Sequence, residues 1–208
     1  RSGCGVGGGR CVRASYVPSS EGSQRIVFRK SLPASQEYTL NYDVMFENDF
    51  EFVNGGKLLG LGPKNETAGC APQTADGWSA RVMWRTGGVP VIYSYDQNRA
   101  NRCGEDYYSS FVFQKGQYYA VSLHVKVNNP ASSWNGLIEL YANGQKIAQQ
   151  TNVQLRATGG TDTEINNFLF DTFHGGSSSW WSPSKTVHSR FDNIGVYKGL
   201  RVRKQPGQ

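Results

Sequence analysis

Hydrophobic and polar positions alternate along much of this chain with the period of two that a half-buried strand requires. Tyr38, Leu40, Tyr42, Val44 and Phe46 share one face of residues 38–46, and Val121, Leu123, Val125 and Val127 share one face of 119–128. Residues 137–141 and 146–150 flank Ala142-Asn143-Gly144-Gln145, a hairpin turn of the Asn-Gly type. Further strands are predicted at 25–29, within 50–62, and at 111–113, 167–174 and 191–198; residues 1–24, rich in Gly, Ser and Arg, read as an irregular lead-in. No segment has a convincing helical period. Short strands separated by turn signals predict an all-β jelly-roll β-sandwich of two antiparallel sheets, one of them curved into a concave substrate groove.

One stretch, Gly77 to Tyr95, concentrates unusual side chains. It reads as a hairpin with residues 86–90 as its loop. Trp78, Ala80, Val82 and Trp84 fall on one face, and Ser79, Arg81, Met83 and Arg85 on the other. Pairing about that loop sets Arg85 opposite Val91, Met83 opposite Tyr93 and Arg81 opposite Tyr95. Guanidinium groups, a hydroxyl and two phenols then gather above a Trp-rich buried side, although a mixed polar surface is the simpler alternative.

Composition narrows the setting. The 208 residues suit one domain, taken as 1–198, with 199–208 as a frayed basic tail or the start of a linker. The formal charge of +6 favours anionic partners, but Lys198, Arg201, Arg203 and Lys204 supply four of those charges from the chain's end. No apolar run of about 18 residues is present, so no membrane span is predicted. No basic-aromatic nucleic-acid motif is found either. Cys4, Cys11, Cys70 and Cys103 lack metal-ligand spacing and fit two disulfides in a secreted protein. Of three connectivities, Cys4–Cys11 and Cys70–Cys103 is favoured, the second tying two long loops near the hairpin. Each crosslink is worth roughly 2–4 kcal/mol. Neither a metal nor a cofactor is implied by any ligand cluster, and a monomer is expected.

Upstream, Gly55-Gly56-Lys57-Leu58-Leu59-Gly60-Leu61 places one lysine in a Gly-Leu strand. A snorkelling surface lysine is its ordinary role. Pressed beside Arg81 in a cleft opened by the glycines, its charged form would instead be disfavoured by like charge and desolvation. Four motifs, NGGKLLGLG (54–62), GWSARVMWR (77–85), IYSY (92–95) and FDTFHGGSSSWWSP (170–183) leading to FDNIGVY, resemble polysaccharide lyase family 14 over about residues 25–198. That family comprises alginate lyases and viral enzymes that cleave glucuronate polymers. The resemblance implies a jelly roll with an open cleft. It also implies a carbon-oxygen lyase of the poly(β-D-mannuronate) type, acting on an anionic polysaccharide, alginate or glucuronan.

The residue types suit that chemistry. β-Elimination in a 4-linked uronate removes the C5 proton and expels the oxygen on C4, so the site needs a base, an acid and cations against the sugar carboxylate. Lys57, Arg81, Tyr93 and Tyr95 are the catalytic candidates: Arg81 to grip the carboxylate, and the lysine and phenols to exchange protons. Ser79 is expected to position the sugar. His124 and Lys126, on one strand face, Gln97 after the second hairpin strand, and Trp180 after the Gly-Ser run are the substrate-binding candidates. Endolytic cleavage with mannuronate-rich blocks first is expected from the resemblance alone, with glucuronan lyase as the alternative. Two rivals are kept. Glu47, Asp49 and Glu51 at alternate positions resemble the signature of sandwich glycoside hydrolases. A uronate-binding lectin module would use the same groove without turnover.

Overall fold

The computed structural model describes residues 2–208. Its strands are β1 (Val12–Tyr16), β2 (Pro18–Ser19), β3 (Gly22–Ser23), β4 (Ile26–Ser35), β5 (Glu37–Phe46), β6 (Gly55–Gly62), β7 (Ser79–Arg85), β8 (Val89–Tyr95), β9 (Glu105–Tyr108), β10 (Tyr118–Lys126), β11 (Gly136–Ala142), β12 (Gln145–Val153), β13 (Ile165–His174) and β14 (Val187–Lys198). Two six-stranded sheets form, one in the order β1-β14-β5-β10-β11-β12 and one in the order β4-β13-β6-β7-β8-β9. All neighbouring strands are antiparallel. The inward residues of both sheets, among them Leu40, Tyr42, Val44, Val82, Trp84, Leu123 and Val125, make one core between them. This is the expected all-β jelly-roll sandwich.

The alternation rule places the chemistry. Along β7, Trp78, Ala80, Val82 and Trp84 enter the core. Met83 joins Val91, Tyr93 and Tyr95 in a separate cluster on the opposite face of the same sheet. Aromatic packing anchors this arrangement: the Trp84 ring lies 5.3–5.8 Å from those of Tyr16, Phe46, Phe50 and His174. Burial on that scale carries several kcal/mol, of order 2 per large side chain.

Several expectations need correction. The β7–β8 turn is tighter than residues 86–90: Arg85 pairs with Val89, Met83 with Val91, Arg81 with Tyr93 and Ser79 with Tyr95. Gly87 and Gly88, both at positive φ, close the turn within Thr86–Gly88. A slip of two leaves every side chain on its expected face, whereas a slip of one would have inverted the hairpin. The lead-in is partly ordered, since β1 pairs with β14 and buries Ala14 and Tyr16. Residues 111–113 are not a strand; Phe113 packs into the core from a loop, its N–H donating to the Gly88 carbonyl over 2.9 Å. The edge strand is β9 instead, whose Glu-Asp-Tyr-Tyr sequence lacks an apolar alternation to announce it.

Residues 199–208, read as a frayed tail, lie across the outer face of the sheet built on β5. Arg203 Nη2 meets Asp43 Oδ1 at 2.6 Å, and the Arg201 and Arg203 amides donate to Thr39 and Ser122 hydroxyls. The polar side of β5 thus faces a covering strap. Both favoured disulfides, Cys4–Cys11 and Cys70–Cys103, are present.

Candidate active site

The site stands on the outer face of the β4–β9 sheet and begins with a bulge. Lys57 pairs with Met83 but Gly60 pairs with Arg81, so β6 spends three steps where β7 spends two. The extra residue sends both Leu58 and Leu59 into the core and re-aims Lys57 outward. The glycines around it are spatial requirements. A Cβ on Gly56 would sit 2.1 Å from the Trp84 ring, and one on Gly60 would sit 2.6 Å from Arg81 Cγ. The motif therefore lets a tryptophan pass beneath the strand and an arginine lie over it.

Lys57 Nζ lies 5.4 Å from the centroid of the Phe173 ring and 5.9 Å from that of Tyr93. Burial lowers its pKa most, the neighbouring Arg81 lowers it further, and Asp171 opposes them; the result is about 7. A neutral amine is therefore accessible near neutral pH. Arg81 itself is fully buried, its Nε donating to Asp171 Oδ2 at 3.0 Å. Its two terminal nitrogens have no protein partner and are shielded from solvent. Asp171 also accepts from Arg29 at 2.5 Å. Burial pushes its carboxyl up, but Arg81 and Arg29 together hold it below the usual range.

The phenols complete the site. Tyr93 and Tyr95 oxygens are 3.4 Å apart, and each accepts a loop amide at 3.0 Å, from Gly104 and Cys70 respectively. Burial and the adjoining phenol drive Tyr93 well above the ordinary tyrosine range, so it stays protonated. Lys57, Met83, Arg85, both tyrosines and Phe173 floor a cavity of about 430 Å³, rimmed by Arg25, Gly104, Gly176, Ser177 and Trp181. A second hollow of about 390 Å³, lined by Asn54, Val89, Asp106 and Tyr108, shares Arg85 and Trp181 with the first. Together they make an elongated depression along the sheet.

Lys57, Tyr93 and Tyr95 are thus brought together, with Arg81 directly behind. The other candidates separate. Ser79 is fully buried and donates to the Thr67 carbonyl at 2.7 Å, bracing a loop instead of facing the cavity. Gln97 likewise braces loops, its amide donating to the Thr74 and Leu155 carbonyls at 3.0 Å. His124 and Lys126 lie on the other sheet; His124 is held between Glu37 and Glu139 at 2.9 and 3.0 Å, so neither lines this groove. Trp180 is 80% exposed and outside the cavity, and its neighbour Trp181 is the one that lines it. A short 3-10 turn at 179–181 decides between them, which the Gly-Ser run hides.

Arg25, Phe173 and Asp171 belong to the site without standing out in the sequence. The alternation of FDTF, which sets Asp171 and Phe173 on one face, is the signal that could have found two of them. The acidic triplet does not assemble a hydrolase pair. Glu47 is bound by Arg13 at 2.6 Å and Arg190 at 2.7 Å, Asp49 by Lys185 at 3.4 Å, and Glu51 accepts from Ser184 at 2.6 Å. Hydrogen bonding to Arg13 outweighs burial and holds Glu47 at about 2, an ionised structural carboxylate.

The jelly roll thus presents a cationic, phenol-floored groove on one of its two sheets. The family model for polysaccharide lyase 14 matches residues 11–194, and the chain belongs to that family. Exolysin of Paramecium bursaria Chlorella virus 1 is 27% identical over 204 residues, covering 82% of this chain and 30% of that protein. The chain therefore spans about a third of that curated relative's length. The alginate lyase Aly36B has the same fold at a TM-score of 0.79 and 23% identity, over 93% of this chain and 82% of that one. The PL-14 alginate lyase from Aplysia kurodai follows at a TM-score of 0.75 and 24% identity, over 92% and 84%.

Proposed function

We propose that this chain cleaves alginate by β-elimination, attacking 4-linked uronates endolytically, mannuronate-rich blocks first, and releasing unsaturated oligouronates. One observation carries the reading: a lysine whose pKa is lowered to about 7 stands at the floor of the same cavity as a hydrogen-bonded phenol pair. Neutral Lys57 Nζ takes the C5 proton, and the electron pair left on C5 becomes the C4–C5 double bond. The C4–O bond breaks, and a phenol proton passes to the departing oxygen.

Between them the two tyrosine hydroxyls hold two protons; one lies between the oxygens and the other is available to the groove. Charge on the sugar carboxylate is met by Arg25 at the cavity rim, by Arg85 in its floor, which Asp106 holds at 2.6 Å, and by the Arg81 cation beneath the floor. Arg81, shielded from solvent, works through this field and not through a direct grip. The elongated depression continuing past Arg85 toward Tyr108 suits a chain that enters mid-polymer. Two disulfides suit a secreted enzyme, and a monomer suffices for the site.

The test offers polymannuronate, polyguluronate and glucuronan separately and follows the ultraviolet absorbance of the new double bond. Fastest turnover and long-chain early products on polymannuronate are expected. Faster turnover on glucuronan would transfer the reading to that polymer. Reducing ends without ultraviolet absorbance would mean hydrolysis, and saturable binding without products would mean a lectin; either would end the proposal.

A further inference from the structure

Two irregular loops meet over the phenols. One runs through residues 63–78 between β6 and β7, the other through 96–104 between β8 and β9. Segments of that length without secondary structure are ordinarily the mobile parts of a sandwich. Here they are tied together by the Cys70–Cys103 disulfide. Two arginines of the second loop add to the tie: Arg99 donates to the Ala71 carbonyl at 2.6 Å and Arg102 to the Cys70 carbonyl at 3.3 Å.

The residues at this crosslink are the ones that touch the site. The Cys70 N–H donates to the Tyr95 oxygen, and the N–H of Gly104, next after Cys103, donates to the Tyr93 oxygen, both at 3.0 Å. Cys70 holds φ at 62°, a left-handed conformation that a non-glycine residue keeps only when its surroundings impose it. Gly104 is required for closeness: a Cβ there would stand 2.7 Å from Tyr93 Cζ. The Arg99 guanidinium also lies 4.6 Å over the Tyr95 ring.

We propose that the Cys70–Cys103 disulfide is a positioning element for the reaction, holding two loop amides against the Tyr93 and Tyr95 oxygens. Each amide occupies an acceptor site on its phenol and so restricts where the O–H can point. Once a phenol has given up its proton, the same amide stabilises the phenolate left behind, as oxyanion donors do. The crosslink secures the geometry of the proton donor, which is a demand on the transition state and not on polymer binding. The kinetic part of this inference rests on the lyase reading above.

The test compares the Cys70→Ser/Cys103→Ser double variant with Cys4→Ser/Cys11→Ser, in the full chain. On polymannuronate, the first pair should lower kcat about 10- to 100-fold, as displaced acid–base groups do, with KM within about threefold. The second pair should leave kcat unchanged. NMR of tyrosine labelled with carbon-13 at Cζ, assigned through Tyr93→Phe and Tyr95→Phe, supplies a readout independent of turnover. Both resonances should shift in the first pair only, and the Gly104 amide should lose protection from hydrogen exchange. Gly104→Ala, with the disulfide intact, should reproduce the kcat loss and the Tyr93 shift. If the double variant does not fold, dithiothreitol treatment of the Cys4→Ser/Cys11→Ser variant, which opens the Cys70–Cys103 bond alone, should give the same kcat loss and the same shifts, and their absence would overturn the proposal. A kcat within twofold of wild type, with both tyrosine resonances unmoved, would overturn the proposal. If the wild type turns over no uronate polymer, the lyase reading fails while the resonances still report on the clamp.

Discussion

Arg81 and Asp171 form an ion pair at 3.0 Å with the arginine side chain fully buried and the aspartate 4% exposed. Such a pair sits beneath the floor of the site because Gly60 leaves its volume to the arginine, and because Asp171 and Phe173 share the outward face of β13. Its cation depresses Lys57, and its anion opposes that shift.

Removing the carboxylate strands the buried Arg81 guanidinium, while Arg29 keeps Glu66 at 2.6 Å. Asp171→Asn is expected to cost about 3–5 kcal/mol in urea unfolding, as for other broken buried pairs. The sign with pH follows from the lowered carboxyl of Asp171. Its stabilisation is complete above the ordinary carboxylate pKa, near 4, and fades as pH falls through the lower folded value. The gap between wild type and variant should therefore shrink below about pH 4.

Lys57 carries the opposite expectation for stability. A lysine lowered to about 7 in the fold burdens the folded state fully below that pH, by less between there and the unfolded value near 10.5, and not at all above it. Lys57→Met should be more stable than wild type at pH 6 by on the order of 2–4 kcal/mol, with the difference falling steadily as pH is raised. Paired thermal melts across that range check it; a constant difference would remove the claim that burial disfavours the ammonium.

The bulge predicts a contrast between glycines. Gly60→Ala sets a Cβ 2.4 Å from the Ala80 carbonyl oxygen and 3.0 Å from Arg81 Cα, backbone neighbours that cannot swing aside. A loss of about 1–3 kcal/mol is expected, together with lower activity as Arg81 is displaced. Gly159→Ala, with nothing within 4 Å of the added carbon, should be neutral or slightly stabilising. Chemical denaturation of the two variants side by side makes the comparison.

Much of the sandwich is legible in advance because period-two alternation survives where a face is buried, as along β5 and β10. The tyrosines are legible for the same reason, since the hairpin's two faces differ so sharply in composition, whereas Lys57 is marked by its Gly-Leu motif and faces outward only through the bulge in β6. What cannot be read depends on distant partners. His124 and Lys126 alternate correctly, but alternation does not say which sheet a strand joins. Ser79 occupies the right face, yet the Thr67 carbonyl claims its hydroxyl. The strap at 199–208 has no pattern of its own and is held by Asp43, Thr39 and Ser122 on strands far away in sequence. The choice of Trp181 over Trp180 turns on a single 3-10 turn.

Whether a neutral lysine removes the C5 proton is tested most directly by the pH dependence of kcat/KM on polymannuronate, which reports groups in the free enzyme. With Lys57 as base, the rate should climb tenfold per pH unit below about 7 and level off above it, and Lys57→Ala should abolish the activity that shows this limb. A rate that peaks below pH 6, or a Lys57→Ala variant whose loss is confined to KM, would contradict it.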